Sequence, residues 1–373
     1  KLAPQLFANF AESLANSGHG DKVMIEFANV NTHKEFHIGH LRNVAFGQAV
    51  TGLLGAVGYE VLPVSYVNDF GIHTAKTIWQ LAKAPIAESA GINRGYLLGQ
   101  AYVASVAAMG EGEDAKQEVS AIMTEIESRS GDNYKLWQET REWSIEYFQS
   151  IYDKLKIKFN HYYYESDLID RGRELAKELL ANGVLQESQG AVIADLSAED
   201  LGVLVILRQD GTALYPVADL ALAIEKFASA KLAKSLYVVD KRQSLYFKQL
   251  FAVLKKLGYE APMIHLPYDF VTLPSGMMSS RSGNTVLFND VYSECKNSFL
   301  VETKTRHEDW SVEKIDEVAE KLTMATLKFE MVKVSAEKII TFNIKEALRF
   351  EGYTAAYLQY SCARINSVLA KAG

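Results

Sequence analysis

Residues 21 to 69 set four segments in direct succession. An apolar run, "DKVMIEFANV", leads into a polar loop; a helix-period stretch, "LRNVAFGQAVTGLLGAVGYE", follows, and then a second apolar run, "EVLPVSYVND". Strand, loop, helix and strand at this spacing make a βαβ unit, which requires a parallel sheet and a right-handed crossover. Gly58 sits where the helix must close. A parallel sheet has to be covered on both faces, so this pattern alone excludes all-β folds and directs the chain to the α/β class.

Further strand patterns occur at "FNHYYYES", "GAVIADL", "GVLVILRQDG", "SLYVVD" and "PMIHLPY", while residues 83 to 160 and the chain from Ser311 onward read as helical. The predicted architecture is a doubly wound parallel α/β sheet with a helical insertion and an all-α C-terminal region. The expected boundaries are 1–85 for the first half of a nucleotide-binding domain, 86–190 for the insertion, 191–270 for the second half, 271–330 for a loop and stem helices, and 331–373 for a further helical domain. The 373 residues begin without Met and stop just after a strongly patterned segment, so a piece of a longer protein is expected.

No long uncharged apolar run suggests a membrane span. The two cysteines, Cys295 and Cys362, lie far apart and outside any CxxC pattern, which argues against a disulfide framework or a thiolate zinc site and fits a reducing cytoplasm. A net charge of −7 gives no global case for nucleic acid. Between Lys231 and Lys256, however, the cations face a single acid, Asp240. That basic stretch is either a solvated helix face or an RNA contact.

The loop "NTHKEFHIGH" follows the first strand and feeds the next helix, the place where doubly wound sheets bind ligands. The N-terminus of that helix offers unpaired N–H groups to an anion. His37 and His40, three apart, can both face a phosphate, and Gly39 allows close approach. His33, His37 and His40 could instead form a metal set, but no Glu lies between the last two as in HExxH and no cysteine supports it. No metal site and no structural zinc are expected.

"HIGH" at 37 to 40 is the signature of class I aminoacyl-tRNA synthetases. The wider stretch "IEFANVNTHKEFHIGHLRNVAFGQAV" resembles the arginyl-tRNA synthetases. The likeness continues in order through "SYVNDFGIHTAK", "DGTALYPVADLALA", "VVDKRQSLYFKQL", "MMSSRSGNTVLFNDV" and "YTAAYLQYSCARINSVLAKAG". The resemblance implies an ATP-dependent arginine–tRNA ligase that forms arginyl-adenylate and transfers the arginyl group to tRNA(Arg). It further implies ATP as substrate, Mg2+, a cytoplasmic monomer, and a C-terminal segment that opens an anticodon-binding domain. In that last helix Tyr357, Tyr360 and Ile365 are expected to pack inward.

By the same resemblance, His37, Gly39 and His40 would hold the ATP phosphates and leave room for adenine. Glu26, Asn31, Tyr215, Asp219 and Gln243 would hold arginine. Arginine's guanidinium is a permanent planar cation that suits carboxylates in a fork. Tyr215 and Asp219, four apart on one helix face, and Glu26 would take it; Asn31 and Gln243 would take the α-ammonium. Read alone, Glu26 could equally be a solvated strand-end acid and Asp219 a helix N-terminal acid favoured by the dipole.

The second signature of the class appears as "MMSSRSG". Met278, Ser279 and Ser280 would contact ATP there, but Met277 stands where a lysine would be. Lys34 and Arg281 are the candidates to supply its charge. Other departures are Glu35 for a proline, His73 for a glutamine, Ala28 for a serine and Val30 for a proline. They raise an alternative, a divergent paralogue acting as a non-catalytic tRNA- or protein-binding scaffold. A second alternative is a ligase that adenylates an amino acid for a small amine.

Overall fold

The computed structural model describes residues 12, 14–85, 93–110, 112–209, 214–273, 276–277, 286–349 and 352–372. Its strands are β1 (Lys22–Glu26), β2 (Glu60–Val67), β3 (His161–Tyr164), β4 (Gln186–Ser188), β5 (Ala191–Leu196), β6 (Gly202–Leu207), β7 (Lys234–Asp240), β8 (Met263–Tyr268), β9 (Val271–Leu273), β10 (Gly276–Met277) and β11 (Ile340–Thr341). The helices, α1 to α12, are Ile38–Ala56, Ile72–Lys83, Arg94–Met109, Glu113–Glu127, Gly131–Lys154, Glu165–Ala181, Tyr215–Ser229, Ser244–Lys256, Phe288–Arg306, Val312–Val332, Ile344–Ala347 and Ala355–Ala372. Among the described residues, no helix is long and apolar enough to cross a membrane.

Packing divides the chain into two compact units. The first comprises Lys1–Thr32, Gly47–Thr74 and Lys158–Tyr268. It contains the expected parallel sheet, in the order β3-β2-β1-β7-β8, with every pairing parallel. Strand order runs outward from β1 in both directions, so the reversal falls between β1 and β7, where such sheets open a crevice at their carboxyl ends. All but the first residue of β1 are buried, as a central parallel strand requires.

One face of this sheet is covered by α6, α7 and α8, whose Leu168, Leu175, Leu220 and Leu250 join Met24 and Val64 in a single core. Gly172 lets α6 approach α7, because a Cβ there would lie 2.3 Å from the Val217 carbonyl oxygen. Asp69 fixes the start of α6, accepting the Ser166 N–H at 2.9 Å and its hydroxyl at 2.7 Å. Two of the strand-patterned segments, β5 and β6, are antiparallel partners in a separate sheet, β4-β5-β6.

The second unit comprises His33–Phe46, Ala75–Ile157 and Asp269–Gly373. Its helical block runs to Ile157; β3 pairs with β2 and the apolar stripe of α6 packs on α7, so residues 158–190 pack within the first unit. Phe36 is fully buried and makes edge contacts with Tyr152 and Phe288. Arg42 is also buried; its guanidinium donates to the carbonyls of Met331, Ser335 and Ala336, which cap the exit of α10.

The inward packing expected for the last helix does not occur. Tyr357, Tyr360 and Ile365 are 50%, 61% and 58% exposed, and only Ala355 and Ala356 at the start of α12 are buried. The apolar periodicity is present, but no described residue covers that face beyond the first turn.

Candidate active site

In the first unit a cavity of about 270 Å³ opens where β1, β2 and β7 end. Glu26 is the last residue of β1; Asn29 and Asn31 follow it, and Tyr66 and Asn68 lie at the end of β2. Tyr237 and Val239 come from β7, Tyr215 and Asp219 from the first two turns of α7, and Gln243 and Tyr246 from the N-cap and first turn of α8. Pro216 sets the entry into α7 without losing a needed donor. All five residues expected at the amino-acid side, Glu26, Asn31, Tyr215, Asp219 and Gln243, line this one cavity. Tyr215 is 73% exposed and forms part of the rim.

Charge in the cavity is not what the sequence suggested. Glu26 is buried and already engaged: one carboxylate oxygen accepts from Asn29 at 2.8 Å and the other pairs with Lys226, which is fully buried. Lys226 also lies over the Tyr237 ring, 4.2 Å from its centroid. Burial pulls the lysine's pKa down, but Glu26, with Tyr237 and Tyr163, outweighs this and the net shift is upward.

Asp219 accepts a hydrogen bond from the Tyr246 hydroxyl. Its pKa is pushed up to about 7, chiefly by burial and further by the charge of Glu26, against the lowering effects of the Tyr246 bond and Lys226. Behind Asn68, which donates to it at 3.2 Å, Glu165 rises to about 8 through burial and the neighbouring Asp219 and Asp69. The cavity is therefore lined by Asp219 and backed by Glu165, two carboxyls that burial holds protonated to well above the usual range.

Sequence reasoning missed Lys226, Tyr66, Tyr246, Asn29, Asn68 and Glu165. A signal existed for Lys226. It stands seven residues after Asp219, on the same stripe of an otherwise apolar helix, where a solvated cation does not belong.

In the second unit the loop ahead of α1 carries the histidines. His37 and His40 stack with ring centroids 3.7 Å apart and planes at 16°. The N–H groups of Gly39 and His40 donate to His37 Nδ1 at 3.1 and 3.3 Å, and the His37 N–H donates to His40 Nδ1 at 3.2 Å. Both Nδ1 atoms are thus acceptors, which assigns the proton of each neutral ring to Nε2.

Burial holds His37 down at about 4, with the Lys34 charge adding to it, and burial, His37 and Lys34 hold His40 well below the usual range. The pair is neutral at pH 7, with one N–H donor on each ring. Gly39 is required here, since a Cβ would come within 2.9 Å of the His37 ring. The first turn of α1 contains no acid to oppose an anion.

His33 does not join the pair. It is fully buried, with φ +60°; its ring Nε2 bonds Thr140 Oγ1 at 2.8 Å, its N–H donates to Ser144 Oγ at 2.9 Å, and burial lowers its pKa to about 3. It is a core histidine that ties the loop to α5. Lys34 lies over Tyr102, 4.9 Å from the ring centroid, and is close enough to depress both signature histidines. Glu35 is turned onto α3, filling the space that Gly99 leaves; burial and Asp290 raise its pKa to about 7.

Arg281, Met278, Ser279 and Ser280 lie outside the described residues. Among the described residues, no group of three or more His, Cys, Asp or Glu is placed to hold a metal ion.

Residues 4–343 match the family model described as tRNA synthetases class I (R), catalytic domain. The chain is 37% identical to the arginine–tRNA ligase of Bdellovibrio bacteriovorus over 93% of its own length and 61% of that protein's. It is 34% identical to that of Treponema denticola over 95% and 61%. The solved Thermus thermophilus arginyl-tRNA synthetase superposes with a TM-score of 0.81 at 27% identity, over 95% of this chain and 65% of that one. The chain spans about 61% of the length of the curated relatives it matches. With the doubly wound sheet, the histidine signature and the family model in agreement, the chain belongs to the class I (R) tRNA synthetase catalytic-domain family.

Proposed function

We propose that this chain is the catalytic part of an arginine–tRNA ligase. It joins the carboxylate of L-arginine to the α-phosphorus of ATP and expels pyrophosphate. A ribose hydroxyl at the 3′ end of tRNA(Arg) then attacks the carbonyl carbon of the adenylate, and AMP leaves. The observation that carries this reading is the acidic cavity, in which Asp219, Tyr215, Asn31 and Gln243 meet beside the Glu26–Lys226 pair.

In this reading Asp219 ionises as the guanidinium enters and takes it in a fork. Tyr215 closes over the side chain from the rim, and Asn31 and Gln243 orient the α-ammonium. Glu26, neutralised by Lys226 and held by Asn29, adds negative potential without leaving its partners. A neutral isostere such as citrulline would leave Asp219 protonated and the fork unmatched, while lysine would leave acceptors unpaired.

His37 and His40 present neutral N–H donors to the triphosphate. Fixed neutral donors stabilise the charge that develops at the α-phosphorus without having to reorganise. Lys34 and Arg281 supply positive charge to the departing pyrophosphate, and Met278, Ser279 and Ser280 complete the nucleotide contacts. Attack by a carboxylate needs no general base, and holding two reactants in line is the larger part of the task. Mg2+ would enter held mainly by phosphate oxygens, in keeping with the donor set, and would draw charge from the leaving group. In this reading the protein works as a monomer in the cytoplasm, away from membranes.

Arginine-dependent pyrophosphate exchange, run with and without tRNA(Arg), tests this. Exchange that requires arginine supports the reading. Exchange with another amino acid defeats it, and silence together with confirmed tRNA binding favours the scaffold alternative.

A further inference from the structure

Several polar groups of the acidic cavity are paired. Asp219 accepts from Tyr246, Glu26 from Asn29 and Lys226, and Asn68 donates to Glu165. The hydroxyls of Tyr66 and Tyr237 are the exceptions, both buried with no hydrogen-bond partner. Lys226 already lies over the Tyr237 ring, whereas the charges acting on Tyr66, which lines the cavity from β2 and is 5% exposed, are all acidic. Natural proteins rarely leave a buried hydroxyl unpaired, because it forfeits water and gains nothing.

The groups that act on this hydroxyl are the carboxyls of Asp219, Glu165 and Glu26 and the phenol of Tyr246, and together with burial they keep it firmly protonated. It is a donor and an acceptor at a wall otherwise made of acids. Resting on the arginine reading above, we propose that the Tyr66 hydroxyl is a specificity-determining contact for the guanidinium: it accepts one guanidinium N–H and gives its own hydrogen to a cavity carboxylate.

The chemistry explains why a tyrosine suits this position. A guanidinium carries five N–H donors in one plane, and the Asp219 fork can take only two of them. A further carboxylate would satisfy a third donor but would add charge that the cavity already fails to keep ionised. A phenol adds an acceptor at no net charge. An ammonium group, compact and with donors arranged tetrahedrally, can use Asp219 without reaching Tyr66, so this hydroxyl separates arginine from lysine.

The test is calorimetric binding of L-arginine, L-lysine and ATP to the wild-type chain and to Tyr66→Phe, with the thermal midpoint of each ligand-free protein. Loss of one hydrogen bond to a charged group weakens arginine about tenfold, with lysine and ATP changed by less than about twofold. The midpoint stays level or rises, since an unpaired hydroxyl has been removed. Arginine binding unchanged in Tyr66→Phe, or a fallen midpoint with all ligands weakened alike, overturns the inference and leaves the functional reading standing. A wild-type chain that binds no arginine overturns both.

Discussion

Asp219 in the first unit and His37 in the second are both taken out of water, and desolvation moves one up to about 7 and the other down to about 4. His37 is thereby neutral at pH 7, and Asp219 is about half protonated there. The acid gains from a cation; the imidazole lacks a second proton and offers a donor to an anion. Their partners differ accordingly. Around Asp219 the further acids Glu26 and Glu165 sharpen the demand for positive charge. Around His37 the cation Lys34 and the stacked His40 sharpen the demand for negative charge. Regions of opposite electrostatic demand can thus be built by one mechanism, burial of groups whose neutral forms differ.

The two regions should fail differently when cut. His40→Asn removes a preorganised donor and keeps a polar side chain. It is expected to slow adenylate formation by about 10²–10³-fold while leaving the dissociation constant for arginine unchanged. Single-turnover kinetics beside calorimetry separates the two quantities, and a matching loss of arginine affinity would break the division of labour.

Asp219→Asn is the converse. It is expected to weaken arginine by about 100-fold, at the lower-middle of what truncating a buried charge pair costs, with ATP binding unchanged. It should also stabilise the empty protein at alkaline pH. In the native state Asp219 and Glu165 retain protons that the unfolded chain releases near pH 4, so the stability they contribute is complete below that pH. It is lost as pH rises through about 7 and 8. His33 and His37, depressed to about 3 and 4, act oppositely: their contribution is present above about 6.5 and is lost as pH falls toward 4. Thermal midpoints of wild type and Asp219→Asn at pH 4 and pH 8 should therefore lie closest at the lower pH. At the higher pH the variant should lie a few degrees above wild type. A variant that melts lower at pH 8 would show that Asp219 stabilises the fold rather than waiting for a ligand.

Much of this was legible in the chain. The βαβ unit followed from the period change between "VMIEF" and "LRNVAFGQAV", and five residues that line the cavity were named by family likeness before any geometry. The contacts that give them their character were not. Lys226 is 200 positions from Glu26, and only the parallel sheet and α7 bring the two together. His33 belonged to an attractive spacing pattern, yet Thr140 and Ser144, more than a hundred residues away, claim it for the core. Periodicity located the last helix but said nothing of what would cover it, so its aromatic face was misjudged. The orphan hydroxyl of Tyr66 is a property of surroundings that no spacing encodes.

The central claim, that a carboxyl held neutral in the empty cavity ionises to grip a guanidinium, is met most directly by titrating L-arginine into the protein at pH 6 and at pH 8, with citrulline as control. Since Asp219 passes from mostly protonated to mostly ionised across that interval, arginine is predicted to bind about tenfold more tightly at the higher pH and citrulline not to bind at either. Equal arginine affinity at the two values, or citrulline binding as arginine does, would contradict it.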